Sequence, residues 1–166
     1  MKRLSVFLIV ILAVALIAGE CFAAWTITPS VAERNKNYSK IKFLLTADAA
    51  TLAATDLLAV SAMTSEIRRI LQGSTAMLMK VSPGTGSVIP DDTINLILSD
   101  DEGDALFTKT TISKDAISWH LLSTDISSYP PILRRLYLTM TFNGGATTAA
   151  DQVTLYIIVW NEGEEK

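Results

Sequence analysis

The stretch Leu136-Tyr137-Leu138-Thr139-Met140-Thr141-Phe142 decides the fold class of this chain. Large apolar side chains occupy every second position in it, and tyrosine and threonine lie between them. This period of two is typical of a β-strand with one buried and one solvated face. The stretch ends at Asn143-Gly144-Gly145, where glycine permits the backbone conformations of a turn.

The last strand-like segment, residues 152–160, is the most apolar of the expected strands and is apolar on both faces. Such a strand is expected at the centre of a sheet or beneath a partner subunit. Other β-rich segments precede it, each bounded by turn residues. They are residues 25–28 (ended by Pro29-Ser30), 39–46, 76–81, 93–98, 105–110 and 117–122, with 105–110 expected to pair back on 93–98 as a hairpin.

One short helix is expected near residues 64–72. Thr64 or Ser65 can cap its start, and Gly73 can end it. Three apolar residues fall on one face of this helix: Ile67, Ile70 and Leu71. Residues 47–58 are rich in Ala, Thr and Asp, and we expect a loop there with at most one helical turn.

These segments predict an all-β fold, either an antiparallel β-sandwich or a jelly-roll-like arrangement. Repeated alternation of strands and helices is missing from the sequence, which argues against a parallel α/β sheet. We expect a single β-sandwich domain over residues 24–161, followed by a charged tail at residues 162–166.

The N-terminus has the order of a secretory signal peptide: two basic residues, an uncharged apolar run over residues 4–19, and small residues at the expected cleavage site. We expect residues 1–23 to form a signal helix that is cleaved after Ala23, which predicts an exported protein, periplasmic or extracellular. The alternative is an uncleaved anchor, with membrane contact only through residues 4–19. That run is 16 residues long, and a spanning helix usually needs ~20.

The charge balance is mildly acidic, with 14 Lys and Arg against 17 Asp and Glu and a net charge of −3. Removing Lys2, Arg3 and Glu20 with the signal leaves 12 basic and 16 acidic residues, a net charge of −4. This balance gives no electrostatic basis for nucleic-acid binding. The only cysteine, Cys21, also leaves with the signal, so the mature chain is expected to be stabilised by a packed core without disulfides.

The sequence offers no catalytic constellation, and we predict a protein that is not an enzyme and has no cofactor. His120 is the only histidine, and a lone histidine in a strand is more often a packing or surface residue than a catalytic one. No Gly-x-Ser-x-Gly nucleophile elbow occurs. The glycines of Pro83-Gly84-Thr85-Gly86 lack the downstream lysine and the strand–loop–helix setting of a phosphate-binding loop.

The cluster Asp100, Asp101, Glu102 and Asp104 is the best candidate for a cation site. Carboxylates crowded in one turn repel each other, and Ca²⁺ would relieve that repulsion. The spacing is not that of an EF-hand loop, and a solvated hairpin turn is the favoured interpretation. Asp91-Asp92 is interpreted as a turn in the same way.

Two arginine pairs, Arg68-Arg69 and Arg134-Arg135, could bind phosphate or carboxylate groups, although solvated faces explain them equally simply. Aromatic residues could stack on sugar rings if they lined one exposed face, and core packing is the competing explanation. The aromatic residues considered for a glycan site are Trp25, Trp119, Trp160, Tyr129 and Tyr137.

The order of turns and strands resembles that of small phage and prophage proteins from virion structural modules. The resemblance covers about residues 25–160. The segments that carry it are Trp25-Thr26-Ile27-Thr28, Thr46-Ala47-Asp48-Ala49, Val81-Ser82-Pro83-Gly84-Thr85-Gly86 with Pro90-Asp91, Ile94-Asn95-Leu96-Ile97-Leu98 followed by Asp100-Asp101-Glu102-Gly103, and Val153-Thr154-Leu155-Tyr156-Ile157. In that pattern an Asp stands two places after the turn glycine. In this sequence the residue two places after Gly103 is Ala105, and the aspartate is Asp104, so no role from the pattern is transferred to Asp104.

The resemblance implies a β-sandwich that associates with copies of itself or with other structural proteins of a virion. The export signal departs from the pattern, because tailed-phage particles assemble in the cytoplasm. Our leading hypothesis is a non-enzymatic structural or virion-associated protein of phage or prophage type. The alternative is an exported bacterial surface binding module, adhesin-like or glycan-binding.

Overall fold

The computed structural model describes residues 25–47, 51–84, 93–114, 116–122, 132, 134–143 and 151–160. Within these residues the chain forms nine β-strands and one α-helix. The helix α1 is Ser65–Leu71. The strands are β1 (Thr26–Arg34), β2 (Tyr38–Thr46), β3 (Thr51–Asp56), β4 (Thr75–Pro83), β5 (Ile94–Ser99), β6 (Ala105–Ile112), β7 (Ser118–Leu121), β8 (Tyr137–Phe142) and β9 (Gln152–Trp160).

The strands form two sheets whose neighbouring strands are all antiparallel. Sheet A has the order β1-β2-β9-β4-β7, and sheet B has the order β3-β8-β5-β6. The chain crosses repeatedly between the sheets, and the side chains that face inward from both sheets form one hydrophobic core. The predicted antiparallel β-sandwich is confirmed.

Strand β9 lies at the centre of sheet A, between β2 and β4. Its buried side chains alternate along the strand, so that Val153, Leu155, Ile157 and Val159 enter the core. The side chains between them lie on the outer face and are half-buried up to Ile158. The sequence-based expectation of a central strand is therefore correct.

Alternation in β2 follows the same rule. Ile41 and Phe43 are fully buried, whereas Lys40 and Lys42 point to the outer face of sheet A. Strand β8, whose sequence indicated the fold class, buries Leu138, Met140 and Phe142 in the same way. Both strands pair with neighbours distant in sequence, so the register is held by the buried side chains.

Strand β1 is longer than the sequence indicated. We expected Pro29-Ser30 to end it, but the strand continues to Arg34. Proline lacks the N–H that a central strand needs for its second neighbour. Because β1 is an edge strand that pairs only with β2, Pro29 fits opposite Phe43 and is buried.

The expectation of a loop over residues 47–58 is wrong. Residues Thr51–Asp56 form β3, which pairs with β8 across an irregular register between Leu52 and Thr55. Alanine and aspartate are poor strand formers, and Leu52 supplies the one fully inward-facing side chain of this strand. The pairing with β8 outweighs the local propensity.

Helix α1 agrees with the prediction. The Thr64 side chain accepts a hydrogen bond from the Ile67 N–H at 3.2 Å, which is the expected N-cap contact. Its apolar side chains Ile67, Ile70 and Leu71 are buried, and Gly73 follows with a φ of +80°. The chain therefore leaves the helix through the extended residue Gln72 and then through a left-handed conformation that glycine adopts without strain.

The β5–β6 hairpin is also confirmed, with Ile97 opposite Thr108. Strand β4 runs two residues past its expected end, to Pro83, and β7 is shorter than expected. The predicted signal or anchor at residues 1–23, the turn at Asp91-Asp92 and the charged tail at residues 162–166 lie outside the described residues. Within the described ranges, no helix is long and apolar enough to cross a membrane.

Candidate binding face

The outer face of sheet A carries a row of side chains that crosses four neighbouring strands. Lys42 of β2 lies opposite Tyr156 of β9, Tyr156 lies opposite Lys80 of β4, and Lys80 lies opposite Trp119 of β7. We call these four residues the lysine–aromatic row. Directly opposed residues in antiparallel strands have side chains within contact distance, so the row is one continuous surface.

Cation–π contacts join Lys80 to both rings of this row, and Lys40, which lies outside the row, makes a third. The Lys80 Nζ lies 5.0 Å from the centroid of the Tyr156 ring and 5.1 Å from that of the Trp119 ring. The Lys40 Nζ lies 4.9 Å from the Tyr156 centroid. The ring quadrupole attracts each ammonium group, and the lysine stems cover apolar ring surface while the charged ends stay in water.

A second row runs beside the first and is mainly apolar. It consists of Lys40, Ile158, Leu78 and Leu121, in register across β2, β9, β4 and β7. Leu121 is 58% exposed. Trp160, at the end of β9, is 48% exposed, and Trp119 is 53% exposed. Large apolar side chains on β7 and at the end of β9 are therefore exposed to solvent on this face.

Three of the four sheet edges carry features that discourage pairing with another strand. Strand β1 contains Pro29 and a register shift between Val31 and Glu33. Strand β3 contains one register shift and β6 contains two, and β6 also carries an exposed lysine, Lys109. Prolines, bulges and charges are the usual protections of an edge strand.

Strand β7 lacks these protections. Its sequence is Ser-Trp-His-Leu, its pairing with β4 has no register shift, and its outward side chains Trp119 and Leu121 are large and apolar. Its one protective feature is its length of four residues. The β7 edge is therefore the edge of the described fold best suited to pairing with another strand.

The acidic cluster forms the turn between β5 and β6. The Asp100 Oδ1 accepts hydrogen bonds from the Glu102 N–H at 3.0 Å and from the Asp104 N–H at 2.8 Å. Asp101, Glu102 and Asp104 are exposed. In the described part of the chain, no group of three or more His, Cys, Asp or Glu side chains is arranged to hold a metal ion. The structure thus gives Asp100 a role in the turn, and calcium binding by these four residues stays a prediction.

His120 lies in β7 on the side opposite Trp119, facing sheet B. Its ring centroid is 5.6 Å from that of Phe107, and its Nε2 is 2.9 Å from the Ser118 Oγ. Burial lowers the pKa of His120, and the nearby Lys109 ammonium lowers it further. This position agrees with packing between the two sheets, which is the role the sequence favoured.

Each arginine pair has one member whose guanidinium makes contacts inside the domain. The Arg68 Nε donates a hydrogen bond to the Leu58 carbonyl at 3.2 Å. The Arg135 Nη1 donates to the Tyr137 hydroxyl at 2.9 Å, and its Nε is 4.0 Å from the Asp56 Oδ2. These contacts give Arg68 and Arg135 structural roles within the domain.

The aromatic residues proposed for a glycan site divide into three groups. Trp119 and Trp160 are exposed on the outer face of sheet A. Trp25 instead stacks on Phe142 at 5.6 Å between ring centroids, and Tyr137 lies in sheet B. Tyr129 lies outside the described residues. The condition for glycan stacking, one shared exposed face, is thus met by two tryptophans and is not met by Trp25 and Tyr137.

A cleft of about 360 Å³ opens beside β1 and β3. Its described lining comprises apolar and hydroxyl-bearing residues, among them Trp25, Thr55 and Ser61, and no charged side chain. Such a lining supplies neither a general acid nor a general base.

The sequence did not identify Lys40, Lys42, Lys80 and Tyr156 as members of one surface. The alternation in β2 indicated that Lys40 and Lys42 share a face, and this could be recognised from the sequence alone. Their approach to Lys80 and Tyr156 depends on the strand order β2-β9-β4. That order joins segments that are far apart in the chain, and no local pattern encodes it.

Comparison of the chain with protein-family models, with curated proteins and with solved structures gives no match.

Proposed function

We propose that this protein is a non-enzymatic structural or virion-associated β-sandwich of phage or prophage type that works by protein–protein association. The observation that carries the proposal is the unprotected β7 edge, where Trp119 and Leu121 are more than half exposed. An edge strand offers a row of unpaired backbone N–H and C=O groups to another strand. A second copy of this chain supplies the same edge, which gives a two-fold symmetric contact between two β7 strands.

The contact in this proposal is small. A four-residue strand with two large apolar side chains buries much less than the ~800 Å² per partner of a stable interface. Association through β7 alone is therefore expected to depend on protein concentration, and multivalent assembly of many copies would strengthen it. This behaviour is compatible with a subunit that joins a larger structure.

Sedimentation velocity tests the proposal on the protein without residues 1–23, since residues 25–160 contain both sheets and the described core. We expect the average mass to rise with concentration. Leu121→Lys should abolish this rise, because it places a charge in the centre of the contact. Ile97→Lys is the matched control: Ile97 is 38% exposed on the central strand β5 and is away from any edge.

A monomer at all concentrations contradicts self-association, and so does an unchanged mass rise in Leu121→Lys. The phage or prophage origin is tested separately by the neighbouring genes. Genes for capsid or tail proteins support it, whereas a chromosomal setting among surface-protein genes contradicts it.

The second candidate function is glycan binding by an exported surface module. It is favoured by the presence of two exposed tryptophans, Trp119 and Trp160, on one sheet face. Sugar rings stack on exposed aromatic faces because both surfaces are apolar and flat. Retention on immobilised polysaccharides, reduced at least several-fold in Trp160→Ala, is the expected result. Equal retention of the variant contradicts this candidate.

A further inference from the structure

We infer that the lysine–aromatic row binds an acidic polysaccharide that carries one carboxylate on about every second sugar. The inference deepens the second candidate function, on which it rests, by naming the residues and the charge pattern of the ligand. Two observations carry it: Lys42 and Lys80 make no salt bridge within the described residues, and their backbones lie two strands apart, on either side of Tyr156.

The first observation concerns the charges. Lys42 and Lys80 make no salt bridge within the described residues, although the chain as a whole is acidic with a net charge of −3. Glu33 lies near the outer face, opposite Lys40, and its carboxylate accepts the hydrogen bond of the Tyr38 hydroxyl. The row itself contains no acidic residue. A ligand carboxylate would therefore meet ammonium groups that no protein carboxylate neutralises within the described residues.

The second observation concerns the spacing. Lys42 and Lys80 lie on either side of Tyr156, so their backbones are two inter-strand distances apart, ~10 Å. A polysaccharide with a uronic acid at every second sugar repeats its carboxylates at close to this interval. A nucleic acid carries a phosphate about every 3.4 Å along each strand, which the sparse row cannot match.

The rings complete the site. Tyr156 lies between two lysines, and the ammonium groups of Lys40 and Lys80 lie at 4.9 and 5.0 Å from its centroid. A sugar that stacked on Tyr156 would have to displace them, so this ring holds the cations in place. Trp119, at the end of the row and 53% exposed, also has the Lys80 Nζ 5.1 Å from its ring centroid, and it adds exposed apolar ring surface beside the ligand. The ligand thus lies across the strands, with its carboxylates on the lysines.

The outer face of sheet A remains accessible when two β7 edges pair. Edge pairing uses the backbone groups at the side of the sheet and does not cover that face. A contact between two antiparallel β7 strands also keeps the outer faces of both copies on the same side. Two rows then lie on one continuous surface. A long polymer could contact both rows, and avidity would increase its apparent affinity.

Isothermal titration with a hyaluronan oligosaccharide, whose glucuronates alternate with neutral sugars, tests the inference at a protein concentration below that of self-association. We expect Lys42→Gln and Lys80→Gln each to weaken binding by about three- to ten-fold. Binding of the wild-type protein should also weaken when the salt concentration is raised from about 50 to about 500 mM, because salt screens interactions between exposed charges. Lys109→Gln, an exposed lysine of β6 in sheet B, is the matched control and should bind like the wild-type protein.

The carboxyl-reduced oligosaccharide separates the inference from the candidate function beneath it. Equal binding of the reduced and acidic forms supports glycan binding and overturns the acidic site. Failure of both forms, and of neutral polysaccharides, overturns both. Tighter binding of a polyglutamate peptide or of oligothymidylate than of hyaluronan also overturns the inference, because it identifies a different class of polyanion as the partner.

Discussion

His120 shows how the surroundings of one residue link its ionisation to the stability of the fold. Its ring lies between the sheets beside Phe107, and burial together with Lys109 lowers its pKa from the ordinary value of 6.5. The folded protein thus holds the imidazole proton less tightly than the unfolded chain does. The contribution of neutral His120 to stability is complete above pH 6.5 and is lost as the pH falls toward the lowered pKa.

We therefore expect the free energy of unfolding to fall as the pH is lowered from about 7.5 to about 5.5, a range in which an ordinary histidine takes up its proton. In His120→Gln, which keeps a hydrogen-bonding group beside Ser118, this fall should be smaller. Urea unfolding at several pH values measures the difference. Equal pH dependence of the variant and the wild-type protein would show that His120 ionises alike in both states.

Pro29 and Thr64 show which sequence rules can be applied to a single residue and which depend on where its strand lies in a sheet. The capping role of Thr64 follows from a local rule, and the structure confirms it. The rule that proline ends a strand fails at Pro29, since β1 has a neighbour on one side only. Whether a strand lies at an edge is a property of the sheet, so the sequence around Pro29 does not contain it.

At the scale of the element, β9 organises sheet A. It is hydrogen-bonded to β2 along its whole length and to β4 along most of its length. Its two faces differ in burial. The odd-numbered residues from Val153 to Val159 enter the core, while Tyr156 and Ile158 contribute to the outer face. In the second half of β9 both sets are largely apolar, so the sequence of that half does not show which face is buried.

Two neighbouring isoleucines of β9 provide a matched test of this arrangement. Ile157 is fully buried, so Ile157→Ala should destabilise the protein by about 2–5 kcal/mol through the lost apolar contact and the cavity that remains. Ile158 lies on the outer face and is half-buried, and Ile158→Ala should cost less than about 1 kcal/mol. Chemical denaturation measures both values, and similar losses for the two variants would contradict the register of β9.

Strand β3 and helix α1 illustrate the limits of local patterns in this chain. Helix α1 was recognisable because its cap and its apolar face follow within a few residues of each other. Strand β3 was not, because Thr51–Asp56 lacks both strand propensity and a clear alternation. Its conformation is selected by hydrogen bonds to β8, more than 80 residues further along the chain.

At the scale of the whole molecule, the two proposed interactions use different parts of sheet A. Self-association uses the edge of β7, whose backbone groups and apolar side chains are open to another strand. Polyanion binding uses the outer face, where three lysines lie within an otherwise acidic protein. Separate surfaces allow both interactions to occur in one assembly, and they allow each to be removed by its own substitution.

The sequence by itself determined the antiparallel β class, the helix and its cap, and the β5–β6 hairpin, and it limited β9 to the centre of a sheet or to a place beneath a partner subunit. These features depend on the period of side chains within one segment or on residues a few positions apart, and such local patterns are present in the chain before it folds. The prediction of a protein that is not an enzyme rests on a different observation, the lack of a catalytic motif in the sequence.

Only the tertiary structure decided which strands are neighbours, and with them the candidate site. Lys42, Lys80, Tyr156 and Trp119 become one row because β2, β9, β4 and β7 lie side by side in a fixed register. That order is set by the burial of residues such as Phe43, Leu155 and Val81 in a shared core. Long-range burial selects the pairing, and the lysines and rings on the opposite face are brought together as its consequence.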